Sequence, residues 1–401
     1  MTDAEMASPH AQFMDFPVEE YRTRLDRVRG LMVAANLDAM ILADPANLAY
    51  FTGYRSLLFV SKFRPFIAVV PVEGEPALIL PNLEVGVGRR MSWIRDVRGW
   101  GSRGYFSDRQ DFLTLLKDVL VEKRLGGKAI GFELGAGQRP TLTLEQFQST
   151  RELFTAAGCR TLNCADIIWA ARIRKSSREI DYLRIAGRAT DAGYLAALEI
   201  AREGTSETEL SQAVGIAMMR NGADWPGFLV VQSGPDRYDM TNPPASRRKL
   251  ETGDMVILDI GAVHKGYWGD LTRGFFIGRA SGAQREFYHA ILEVFVRTKS
   301  AVRPGIRIEE LDRVAEQTII ELGYSEHIWH RTGHSIGLDV HELPSVAEGD
   351  KTTLEPGMVF TIEPGIYNFG IGAFRLEDVV VVTEEGHESL NATAPTELII
   401  R

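Results

Sequence analysis

Two stretches of the chain are copies of one another, and each copy ends on a carboxylate. Residues 250–261 read Leu-Glu-Thr-Gly-Asp-Met-Val-Ile-Leu-Asp-Ile-Gly, and residues 354–365 read Leu-Glu-Pro-Gly-Met-Val-Phe-Thr-Ile-Glu-Pro-Gly. They align without a gap. In each, a short apolar run stops at an acid, Asp259 or Glu363, with glycine two positions on. A second acid follows each copy: Asp270 lies eleven residues after Asp259, and Glu377 fourteen after Glu363. Short β-branched runs bounded by Gly and Pro are strand signals. Each copy therefore predicts a hairpin with one acid at the end of a strand and another at the start of the next. Two such hairpins, facing each other across a pseudo-twofold axis, bring four acids together.

The rest of the chain sets the frame around that repeat. A length of 401 residues suggests two domains or three. Ahead of the repeat, helical spacing over 18–36 precedes a buried strand over 39–42, which ends in a turn at Asp44-Pro45. Further strands are expected over 66–72, 76–80 and 129–132, with helices over 109–123 and 144–157. Strands alternating with helices predict an α/β domain. A Ser-x-x-Glu capping box at Ser176 and Glu179 opens a long helix beyond it. Another helix starts over 205–209, and two more are expected over 285–302 and about 308–322. The reading is an α/β protein with a smaller N-terminal α/β domain, 1–172, followed by a second domain, 173–401, with two related halves.

Composition excludes several function classes. Apolar residues make up 45% and charged residues 25%, a globular balance. A net charge of −9 argues against a nucleic-acid partner. No apolar stretch is long enough to span a bilayer, and the first residues lack a signal-peptide pattern. Two cysteines, Cys159 and Cys164, make no disulfide framework and lack the partners for a zinc site. The expectation is a cytoplasmic enzyme with no membrane or nucleic-acid partner.

Four converging carboxylates repel one another and raise each other's pKa. Either some hold protons or cations lie between them. Two divalent ions balance four acids, and a metal pair with a shared water suits hydrolysis. A histidine run adds to the pattern. His330, His334 and His341 fall within twelve residues, between the two copies and beside glycines. His334 is the candidate ligand. His341 is placed near the metals as a substrate hydrogen-bond donor or proton shuttle, and His330 as a support for the loop.

Asp259, Asp270, His334, Glu363 and Glu377 together resemble the five-ligand set of the pita-bread metallopeptidases, the superfamily of methionine aminopeptidase, aminopeptidase P, prolidase and creatinase. The layout and length are similar to creatinase, prolidase and aminopeptidase P. The resemblance implies a pita-bread catalytic domain holding two divalent metal ions. Manganese is favoured by the oxygen-rich ligands, with Co, Zn or Fe open. It implies that Asp259 binds one ion, that Asp270 and Glu377 bridge, and that His334 and Glu363 complete the other. It also implies that Glu363 is the general base for a metal-bridging water attacking an amide carbonyl. His341 then contacts the substrate carbonyl, and Arg375 orients a bridging carboxylate. The implied reaction is that of an Xaa-Pro dipeptidase or aminopeptidase P.

Two features favour an alternative on the same metals. The loop over 232–248 has no histidine, where peptidases of the superfamily usually carry one. Thr241 or Asn242 stands near that position, with Tyr238 and Asp239 close by. Residues 61–66, Ser-Lys-Phe-Arg-Pro-Phe, resemble a creatinase segment whose arginine reaches into the partner subunit's site. Arg64 is thereby a candidate for holding a substrate carboxylate in a homodimer. The alternative is an enzyme of small carboxylate metabolites: a C–N hydrolase like creatinase or ectoine hydrolase, or a lyase like that of dimethylsulfoniopropionate. In the lyase version a metal ion or Tyr238 assists removal of a proton next to the carboxylate.

Overall fold

A computed structural model describes residues 12–101, 111–235 and 237–401. The chain divides into two compact units, Met1–Arg172 and Ile173–Arg401.

The first unit is built on α1 (Val18–Ala34), β1 (Ala39–Leu42), α2 (Pro45–Thr52), β2 (Ile67–Pro71), β3 (Ala77–Pro81), β4 (Asp96–Trp100), α3 (Asp111–Glu122), β5 (Ala129–Phe132), α4 (Leu144–Ala156) and β6 (Arg160–Asn163). The strands form one mixed sheet in the order β4-β3-β2-β1-β5-β6. Strands β1, β2, β3 and β5 are buried along their whole length. Phe112, Leu116 and Val119 of α3 and Phe154 of α4 pack with Ile41, Ile67, Ile79 and Ile130 of the sheet. The expected elements are present: the strands over 39–42 and 129–132 match to the residue, and the ends of the others lie within two residues of those expected. Strands β4 and β6 were not expected. They are the sheet edges, partly exposed and polar in sequence, so no apolar run marks them. Asp44-Pro45 is also more than a turn. Asp44 Oδ1 accepts the N–H of Ala46 at 2.9 Å, and Pro45 takes the first helical position of α2.

The second unit repeats one plan twice: two helices, then a sheet. In the first half, α5 (Ser177–Ile200) and α6 (Glu207–Arg220) precede β7 (Trp225–Ser233), β8 (Met255–His264), β9 (Tyr267–Trp268) and β10 (Leu271–Phe276). In the second, α7 (Gly282–Ser300) and α8 (Ile308–Glu321) precede β11 (Gly333–Ser335), β12 (Glu342–Val346), β13 (Val359–Ile362), β14 (Gly365–Asn368), β15 (Gly372–Arg375), β16 (Asp378–Val382) and β17 (His387–Ser389). The sheets run β10-β8-β7 and β12-β11-β13-β16-β17. Capping boxes start three of the four helices, at Ser176 and Glu179, Ser206 and Glu209, and Ser281 and Gln284. The Ser281 box explains why α7 begins three residues before the expected start.

Each half has its own core. Leu198, Leu210, Val214 and Met218 pack on Val231, Leu258 and Ile260 in the first. Ile291, Val294, Leu311 and Ile319 pack with Phe360, Val380 and Val382 in the second. A buried charge ties the halves together. Arg273 on β10 is buried and donates to Asp378 Oδ1 on β16 at 2.6 Å, while Lys299 Nζ of α7 donates to Asp378 Oδ2 at 2.6 Å. Among the described residues, no helix is long and apolar enough to cross a membrane.

Candidate metal centre and active site

The two hairpins of the repeat are β8–β10 and β13–β16, both antiparallel. Asp259 pairs with Thr272, and Ile260 with Leu271. One pair further on, Asp270 falls opposite Gly261. Alternation along a strand puts Asp259 and Gly261 on one face, so Asp259 and Asp270 share that face. The strand does not end at Asp259, contrary to the sequence reading. It runs on to His264, because β7 continues as its partner to Trp225. In the second hairpin Ile362 pairs with Asp378, and the next pair along is Glu363 with Glu377.

Thr272 joins the hairpins. Its Oγ1 donates to Glu377 Oε2 at 2.6 Å, and its carbonyl accepts the N–H of Glu377 at 3.1 Å. Arg375 runs across the same junction. Its Nε donates to Thr272 Oγ1 at 3.0 Å, its Nη1 to the Tyr367 hydroxyl at 3.3 Å, and its Nη2 to Asp259 Oδ2. The Tyr367 hydroxyl also meets His330 Nε2 at 2.7 Å. The other ring nitrogen of His330 lies 2.7 Å from the Arg331 carbonyl, which only accepts. Nδ1 is thus the donor, and Nε2 accepts from Tyr367. His330 therefore orients Tyr367, and Tyr367 orients Arg375.

His334 enters from β11. Its backbone N–H donates to Thr361 Oγ1 at 3.1 Å, and its Nδ1 lies 3.1 Å from the Ser335 carbonyl. That contact requires the proton on Nδ1 and leaves the Nε2 lone pair bare. Nε2 stands 3.4 Å from Glu363 Oε1 and 3.8 Å from Asp270 Oδ2. Asp270, His334 and Glu377 each offer a ligand atom within 4.8 Å of the others'. Glu363 joins this trio through His334, while the Asp259 carboxylate is engaged by Arg375. The His341 ring is exposed, 4.3 Å from the His334 ring between centroids.

The electrostatics match the crowding. Burial, then the charge of Glu377 and the other acids, pushes Asp270 well above the usual carboxylate range. Burial and the neighbouring Glu363 and Asp259 do the same to Glu377. Glu363 is pushed up to about 7 by burial, with Arg375 acting against the shift. Burial, then His341, lowers His334 to about 3, so its imidazole is neutral at ordinary pH. Burial and Arg375 lower His330 to about 4. Asp270 is 3% exposed, and its Oδ1 has no hydrogen-bond partner among the described residues. An orphaned buried carboxylate oxygen, a bare imidazole nitrogen and several further acid oxygens form a donor set that fits divalent cations.

Two expected substrate residues have other partners in the structure. Tyr238 is a correction. It is 2% exposed, and its hydroxyl donates to the Met255 carbonyl at 3.1 Å while accepting the Met255 N–H at 2.7 Å. That hydroxyl locks the start of β8 and is not offered to a substrate. Arg64 belongs to the N-terminal unit, with its Nη1 donating to Ser61 Oγ at 3.0 Å and its guanidinium 4.8 Å over the Phe63 ring. Sequence reasoning missed Thr272, Thr361 and Tyr367. The available signal was position: Thr272 and Thr361 lie two residues from an acid of the repeat, on the same strand face as that acid.

The model of metallopeptidase family M24 matches residues 181–384, and that of the creatinase/prolidase N-terminal domain matches residues 24–174. The chain is 31% identical over 373 residues to an Xaa-Pro dipeptidase of Pyrococcus furiosus, covering 93% of this chain and 98% of that protein. It is 32% identical over 396 residues to a probable dipeptidase PepE of Mycobacterium tuberculosis, covering 96% and 98%. The solved prolidase of Pyrococcus horikoshii OT3 matches with a TM-score of 0.80 at 30% identity, covering 94% of this chain and 100% of that one. Fold, acid cluster and full-length likeness converge: the chain belongs to metallopeptidase family M24, as a metal-dependent hydrolase with a creatinase/prolidase-type N-terminal domain and a pita-bread catalytic domain.

Proposed function

We propose that this chain is an Xaa-Pro dipeptidase working with two divalent metal ions. The observation that carries the reading is the buried meeting of Asp270, His334 and Glu377, with Glu363 against His334. It occurs in an M24 domain whose full-length relatives include Xaa-Pro dipeptidases. Asp259, Asp270, His334, Glu363 and Glu377 would hold the ions, manganese being favoured by the oxygen-rich donors. Divalent cations bound there acidify a water and polarise an amide carbonyl.

The chain's own residues supply the rest. Glu363 takes the proton of the attacking water and returns it to the departing proline nitrogen. His341, exposed above His334, donates to the carbonyl oxygen as negative charge grows on it. Arg375 holds the Asp259 carboxylate in place, and His330 steadies Arg375 through Tyr367. An amide bond to proline carries no N–H, so the site has no buried amide donor to satisfy.

The test is proline release from a panel of Xaa-Pro dipeptides, using protein reconstituted with Mn(II). Release is expected, and it should be abolished by chelation and by Asp270→Ala or Glu377→Ala, with metal content falling alongside. Protein that holds two manganese ions per chain by elemental analysis yet releases no proline would overturn the reading. One observation favours a second reading: the loop over 232–248 contains no histidine. In that reading the same centre acts on small carboxylates bearing amidino, cyclic or sulfonium groups, and the same protein should turn over one of them.

A further inference from the structure

The turn that carries His341 is built around a buried ion pair. Glu342 Oε1 accepts the N–H of Leu338 at 2.9 Å and that of Asp339 at 3.3 Å. Its Oε2 accepts from Lys175 Nζ at 3.0 Å, and both side chains are 1% exposed. Gly337 sits so close to this carboxylate that a Cβ there would lie 2.6 Å from Oε1. Trp268 closes the other side, donating its backbone N–H to the Gly337 carbonyl at 2.9 Å and its Nε1 to the Leu338 carbonyl at 3.1 Å. The backbone N–H of Lys175 donates to the Gly357 carbonyl at 2.8 Å, in the turn that leads into β13 and Glu363. One lysine therefore touches both the His341 turn and the approach to the Glu363 strand.

Stability does not call for such a pair. Desolvating two charges costs about as much as their attraction returns, and apolar residues of similar volume usually do as well or better. What an apolar pair lacks is an acceptor for two adjacent N–H groups in a tight turn. The carboxylate supplies that, and the ammonium holds the carboxylate where it must be.

We propose that Lys175 and Glu342 are positioning residues, whose ion pair fixes the 337–342 turn and so sets where the His341 imidazole stands over His334. The proposal rests on the reading that His341 meets the substrate carbonyl. Lys175→Met alone strands a buried carboxylate and is a poor test, because it threatens folding. The double variant Lys175→Met/Glu342→Met removes both charges together. With wild-type metal content and a melting temperature close to wild type, it should lose kcat toward an Xaa-Pro dipeptide by about 10- to 100-fold while KM changes little. Lys175→Arg, which keeps the charge, should recover most of the rate. Hydrogen exchange at the Leu338 and Asp339 amides should accelerate in the double variant, and the ring resonances of His341 should shift. Wild-type kcat in the double variant, or a loss in strict proportion to lost metal, overturns the proposal. Should the wild-type protein release no proline, the dipeptidase reading fails by itself. The amide protection and the His341 resonances then still decide the positioning, and unchanged values for both overturn it.

Discussion

Asp270 concentrates the electrostatic problem of this site. It is buried, one of its oxygens lacks a partner among the described residues, and Glu377, Asp259 and Glu363 all raise its pKa. The metal-free cluster therefore prefers to hold protons. The sign follows from linkage. A carboxyl whose folded pKa is raised contributes stability below its unfolded value and loses it as pH rises through the folded value. Glu363 marks the window, from an unfolded value of about 4.3 to its folded value of about 7. Metal binding requires the ionised forms. Metal-free protein should thus lose stability between about pH 4 and pH 7, and the rise in melting temperature on adding Mn(II) should grow across the same range. Melts of chelated and metal-loaded protein at several pH values check this. A gap between the two melts that stays constant with pH would contradict it.

At the scale of elements, the hairpins explain what the sequence made legible. The two copies were readable because a strand's acid and glycine keep their spacing whatever surrounds them. The halves, the helices with Ser-x-x-Glu caps and the apolar strands such as β1 and β5 were readable for the same local reason. Edge strands β4 and β6 were not, since one-sided burial leaves a polar sequence. Thr272, Thr361 and Tyr367 were not readable either. A hydroxyl acquires its role only from the tertiary partner it meets, Glu377 for Thr272 and Arg375 for Tyr367. Tyr238 was misread on the same ground: its sequence neighbourhood pointed to the site, but the Met255 backbone claims its hydroxyl. Gly333 shows how tightly an element can set the site. A Cβ there would lie 2.1 Å from the Thr361 carbonyl oxygen. Gly333→Ala must therefore push β11 from β13 and carry His334 with it. The expected cost is about 1–3 kcal/mol of stability, with weakened metal retention. Thermal melts and elemental analysis measure both, and an alanine variant with wild-type metal content would show that β11 can shift without moving His334.

At the scale of the molecule, the question is whether one chain suffices. The acids all lie in the second unit, and Arg64 lies in the first. Each unit closes its own hydrophobic core. The likeness of residues 61–66 to a segment that reaches into a partner's site makes a specific claim: the guanidinium of one subunit holds the substrate carboxylate in the other. Two defective variants can test it together. Arg64→Ala alone should raise KM by about 10- to 100-fold, the worth of a charge-assisted hydrogen bond. Glu363→Ala alone should be inactive through kcat. In a mixed dimer, the site that keeps Glu363 would receive Arg64 from the Glu363→Ala chain. Random pairing in a two-fold dimer then restores about a quarter of wild-type activity. If Arg64 serves its own chain, every site in the mixture lacks one group and nothing is restored. Native mass spectrometry must show that subunits have exchanged. Mixed dimers without recovered activity would place Arg64 outside the partner's site.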